Sequence, residues 1–168
     1  MPIRYLTALT IALGIAEPLL AGGSPTVREF RRMSLGELDE AFARGTACEV
    51  PVGVTRGHVV HVADAKSPRL AAALQSAFWK GKVFYEGGEF INRFCGFRAD
   101  RSHAEIGPSW FDGRPCLVLE YPPSSLVFAN TRDEVREVAP GLYLGRFYSR
   151  CPCPKLRGYF VLEKACRD

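Results

Sequence analysis

The chain has 168 residues, 47% of them hydrophobic, and a net charge of +4. That length accommodates one domain with a real core and is short for two. The 22 Lys and Arg residues are interspersed with 18 Asp and Glu rather than gathered in a block. There is no zinc-finger spacing, RNP-like aromatic motif or glycine-rich phosphate loop, so the sequence gives no support to nucleic-acid binding or to a cofactor.

Residues 1–23 have the order of a secretory signal: Arg4, an apolar run from Tyr5 to Ala16, then the small residues of Leu20-Ala21-Gly22-Gly23. Glu17 and Pro18 stop the run after about twelve residues, short of the roughly twenty that a membrane-spanning helix needs. The expectation is an exported chain, periplasmic or secreted, cut near Ala21 to Ser24, with no integral membrane span. An N-terminal helix of a cytoplasmic protein is the alternative. Six cysteines, at 48, 95, 116, 151, 153 and 166, suit an exported chain.

Ser24 to Met33 reads as a linker. Ser34 and Glu37 have capping-box spacing, Leu35, Leu38 and Phe42 share a face, and Gly45 ends a helix after Arg44. Val52 to Val62 is a strand candidate with a bend at Gly57. His58 and His61 fall on opposite sides of it and make no metal site. Ser67-Pro68 opens a second helix with Leu70, Leu74 and Ala77 on one face.

At Trp79 the period changes to two. Trp79, Gly81, Val83 and Tyr85 form the more apolar set, and a tryptophan after a short helix plugs the base of many small barrels. Phe90 to Phe97 returns as a strand in which Asn92 lies among phenylalanines, there either to satisfy a neighbour's backbone or to read a ligand. Asp112-Gly113 marks a hairpin between Ser102 to Phe111 and Pro115 to Tyr121. Pro122 to Ser125 breaks the sheet, and Leu126 to Asn130 resumes it. Arg132 to Val138, Leu142 to Arg150 and Arg157 to Lys164 follow, the last two joined by the stiff Cys151-Pro152-Cys153-Pro154. Eight or nine strands in meander order, with helices only in the first half, predict a mainly β single domain over residues 34–168, closed into an antiparallel barrel.

Trp79-Lys80-Gly81-Lys82, preceded by a helix and followed by a meander, resembles the lipocalin-like (calycin) barrels and the small bacterial proteins that carry a G-x-W-x-G motif. Ala77 stands where both patterns have glycine. The segments FDGRPCLVLEY and RDEVREVAPGLYLG resemble an uncharacterised bacterial family of about this length. The lipocalin resemblance implies a barrel whose open end takes a small apolar molecule.

The charged strand is the main candidate for a site. Alternation puts Asp133, Val135 and Glu137 on one side and Arg132, Glu134, Arg136 and Val138 on the other. Carboxylates two residues apart on one face stand roughly 7 Å from each other, a separation used for paired acid and base chemistry. If Arg132, Glu134 and Arg136 line a pocket, a carboxylate-bearing ligand follows, because arginine binds carboxylate bidentately. The alternative is an exposed edge strand guarded by its charges. Asn92 and Tyr143 complete the candidate ligand set, with no catalytic or metal residue assigned. The function expected is non-catalytic binding of a small apolar or carboxylate-bearing ligand. A hydrolase or isomerase using residues 132–137, and a purely structural barrel, are the other readings.

Overall fold

The computed structural model describes residues 24–125 and 127–165. The expected signal segment lies outside these residues. Two helices, α1 (Val27–Phe30) and α2 (Leu35–Arg44), precede strand β1 (Gly53–Val62). Helix α3 (Pro68–Phe78) leads directly into β2 (Trp79–Phe84), followed by β3 (Glu89–Phe94), β4 (Arg98–Pro108), β5 (Pro115–Glu120), β6 (Thr131–Ala139), β7 (Leu142–Ser149) and β8 (Lys155–Lys164). Each strand pairs antiparallel with the next, and β1 pairs with β8 from Thr55 opposite Lys164 to Val62 opposite Gly158, so the eight strands form a closed barrel. Among the described residues no helix is long and apolar enough to cross a membrane.

Alternation gives the barrel two cores. Leu117 and Leu119 of β5, Val135 of β6, Tyr143 of β7 and Phe160 and Leu162 of β8 point inward with Phe84 and Phe90. Cys116, Val118, Leu144, Tyr159 and Val161 point outward and are covered by Phe30, Leu38, Ala41 and Phe42 of the two N-terminal helices. Both helices begin with a capping box, Thr26 with Glu29 and Ser34 with Glu37, which satisfies otherwise unpaired N–H groups. Burying Phe30, Leu38 and Phe42 contributes about 1.5–3 kcal/mol each and fixes these helices on the barrel wall. Residues 24–33 are therefore part of the domain and not a linker, because Phe30 is one of its buried side chains.

Three further expectations are corrected. Residues 127–130 form turns rather than a strand. The hairpin around Asp112-Gly113 forms, but its first strand, β4, stops at Pro108 rather than Phe111, which leaves a six-residue connection closed by Ser109 N donating to Arg114 O and Gly113 N to Ser109 O. Strand β6 is not an edge. It pairs with β5 on one side and β7 on the other, because barrel closure removes edges.

Candidate ligand-binding site

The two ends of the barrel differ. At the end holding Ala139, the chain after α2 crosses over: Thr46 bridges to Glu137, and Cys48 and Val50 join the inner core. The opposite end, at Thr131, opens into a cavity of about 470 Å³. Val59, Phe94, Phe128, Phe147 and Phe160 supply apolar walls, and Gln75 and Phe78 of α3, Val127 and Arg157 stand at the mouth.

One polar cluster faces this cavity. Lys82 of β2 lies opposite Asn92 of β3, and its ammonium donates to Asn92 Oδ1 at 2.9 Å, to the Tyr121 hydroxyl at 2.5 Å and to Asp133 Oδ2 at 3.1 Å. Tyr121 in turn donates to Asp133 Oδ2 at 2.9 Å, and Trp79 Nε1 donates to Asn92 Oδ1 at 3.0 Å. The rings of Phe90, Tyr121, Trp79 and Phe160 surround the ammonium at 4.9–5.7 Å, close enough for cation–π attraction. Burial lowers the Lys82 pKa below the ordinary lysine value, and Asp133 opposes that shift. Burial, reinforced by the Asp133 charge, holds the Tyr121 phenol well above the usual range. With all three ammonium hydrogens engaged, the groups left for a ligand are Asp133 Oδ1, which among the described residues has no partner, and the second amide hydrogen of Asn92.

Lys82, Tyr121 and Trp79 are absent from the sequence-based site. Strict alternation separates Trp79 from Lys82, but the register shifts between Trp79 and Gly81, and this bulge turns both side chains inward. Trp79 thus lines the cavity instead of plugging the base; it is half-buried, edge-on to Phe160. The available signal was cross-strand: Lys82 and Phe84 pair with Asn92 and Phe90, one lysine and one asparagine between rows of phenylalanine.

Of the candidates from sequence, Asn92 and Asp133 meet in the cavity, whereas Arg132, Glu134 and Arg136 lie outside the barrel, where Glu134 and Arg136 are nevertheless buried and Arg132 is half-buried. Glu134 accepts from Ser109 Oγ at 2.5 Å, from Trp110 N at 2.7 Å and from Arg132 Nε at 3.0 Å. Arg132 also holds Glu120 at 3.0 Å. Arg136 binds Asp112 bidentately at 2.7 and 2.8 Å and donates to the carbonyls of Phe42, Arg114 and Pro115. These contacts fasten α2 and the β4–β5 connection to the wall. The Arg132 and Arg136 guanidinium groups are already paired with Asp112, Glu120 and Glu134.

Glu137 and Tyr143 sit at the closed end. Glu137 accepts from Gly141 N at 2.9 Å, and burial, then Glu137 and Cys48, push the Tyr143 phenol up to about 12. Asp133 and Glu137 share the inner face but are four residues apart, about 13 Å at roughly 3.3 Å per residue. The carboxylate pair required for two-acid chemistry is not brought together. Among the described residues, Cys48, Cys95, Cys116, Cys151 and Cys153 are free thiols, and no cluster of His, Cys, Asp and Glu has the arrangement of a metal site.

No protein-family model matches the chain, and no curated protein matches it significantly. Its structure is similar to the crystal structure of a protein from Thermomonospora curvata, with a TM-score of 0.58 and 17% identity over 80% of this chain and 89% of that one. At this identity the likeness shows the barrel fold alone.

Proposed function

We propose that the barrel binds a small, mainly apolar molecule carrying one neutral hydroxyl group. The observation that carries this reading is the open, aromatic-walled cavity with the Lys82, Asn92, Tyr121 and Asp133 cluster on its inner wall, of a volume within the roughly 300–1,000 Å³ of small-molecule sites. A hydroxyl matches the vacant groups, donating to Asp133 Oδ1 and accepting from Asn92 Nδ2. A carboxylate does not, since Lys82 is already neutralised by Asp133 and a second anion would enter a low-dielectric site beside the first. The carboxylate-bearing ligand expected from the arginine row therefore gives way to a neutral one.

Competition against a fluorescent apolar probe tests this. Decanol is expected to displace the probe at lower concentration than decanoate at pH 7. Tighter binding of decanoate would overturn the choice of head group, and failure of both to bind would overturn ligand binding itself.

A further inference from the structure

Helix α3 sits on the barrel with its apolar side outward. Ala72 is buried and Ser76 Oγ bonds Val59 N and O, so the small residues make the contact with β1. Leu70, Leu74 and Phe78 are left 62%, 66% and 54% exposed. The spacing of Leu70 and Leu74 predicts a core-facing stripe, and the fold presents it to solvent instead. Phe97 and Val127, 51% and 69% exposed, extend this surface around the cavity mouth. A cluster of large apolar side chains left bare in this way marks a docking surface.

Charge and continuity select its partner. From Ala65 to Tyr85 the chain carries Lys66, Arg69, Lys80 and Lys82 and no acid, and all but Lys82 are exposed. Asp64, near the rim, is paired with Lys155 at 2.7 Å, and Asp100 accepts from Ser125 Oγ at 2.6 Å. Three exposed cations, Lys66, Arg69 and Lys80, thus outnumber the remaining Asp100 carboxylate beside an apolar rim, the pattern of a helix lying in the interface of an anionic bilayer. The surface also runs on into the cavity. Phe78 and Phe97 lie 5.1 and 4.9 Å from Phe94, Phe94 lies 6.2 Å from Phe128, and Phe128 stacks at 4.9 Å on Tyr121, which touches Lys82. Building on the apolar-ligand reading of the cavity, we infer that α3 and the rim residues dock on an anionic lipid surface, so that a ligand passes from the bilayer along this aromatic track to Lys82 and Asp133.

Flotation of the full chain with vesicles of phosphatidylcholine, with and without phosphatidylglycerol, tests the docking. Binding is expected with the anionic vesicles, weakening as salt screens the cations. The double variant Leu70→Gln/Leu74→Gln, which alters exposed residues outside the cavity lining and leaves the charge unchanged, is expected to bind them at least about tenfold less and to keep wild-type affinity for decanol in solution. Equal flotation of wild type and variant overturns the docking and leaves the cavity reading intact. A concentration-dependent dimer abolished by the same variant overturns it in favour of a second copy of the chain. Patch-dependent flotation together with no decanol binding supports the docking and overturns the ligand that it was to deliver.

Discussion

The Lys82 ammonium stands 3.1 Å from the Asp133 carboxylate inside the barrel, with the two side chains only 1% and 7% exposed. Removing one partner leaves the other charge buried and uncompensated. Lys82→Met and Asp133→Leu are each expected to cost about 3–5 kcal/mol, and the double variant markedly less than their sum. Urea denaturation of the four proteins measures the coupling. Strict additivity would show that the pair does not interact.

The buried phenols set an alkaline limit. Burial raises the pKa of Tyr121 above its ordinary value and that of Tyr143 and Tyr148 to about 12. A raised folded-state value means that stability is fully present below the unfolded value near 10 and is lost as pH climbs toward 12, since the unfolded chain releases protons first. Lys82, with its lowered value, acts with the opposite sign only below about 10.4. Denaturation midpoints are therefore expected to fall above pH 10, with a shallower fall in Tyr143→Phe. An unchanged slope in that variant would remove Tyr143 from the account.

Arg136 is a fastener. It is fully buried and spans Asp112 and three carbonyls across α2 and the β4–β5 connection. Arg136→Met is expected to cost about 3 kcal/mol, since unpaired buried acceptors lose about 1–3 kcal/mol each. Hydrogen exchange should then accelerate in α2, while decanol affinity is retained. Loss of affinity without loss of stability would return Arg136 to the ligand set.

Gly57 makes room for Trp79. A Cβ at this position would lie 2.5 Å from the Trp79 ring and 2.5 Å from Gly81 Cα. Gly57→Ala is expected to cost about 1–3 kcal/mol through overpacking. It should also weaken ligand binding, because Trp79 holds Asn92 Oδ1 and lines the cavity. Probe titration beside a urea melt separates the two effects.

Much of the fold was legible locally. Period-two alternation located β1 to β3 and β5 to β8 nearly in place, and helical spacing put Leu38 and Phe42 on a face that is buried at both, though Leu35 on the same face is exposed. Asn92 was readable as a polar residue on a phenylalanine face, and the inner set of β6 was separated correctly from the outer one. Local pattern carries this information because side-chain direction on a strand depends only on the residue's own backbone.

The rest depended on what meets what across the molecule. Nothing within Arg132 to Val138 indicates that its outer face is covered by α2 and the β4–β5 connection, so a charged row looks exposed until those elements bury it and pair its charges. A bulge of one residue at Trp79 to Gly81 reverses the facing of Lys82 relative to Trp79, and a one-residue shift is invisible to a pattern of period two. The outward Leu70 and Leu74 were fixed by the close seat of Ala72 and Ser76 on β1. The sequence alone determined strands, turns and a hydrophobic alternation sufficient for a barrel. Only tertiary structure brought Lys82, Asn92, Tyr121 and Asp133 together at one cavity, because the burial energy and ion pairing that hold them act between strands far apart in the chain.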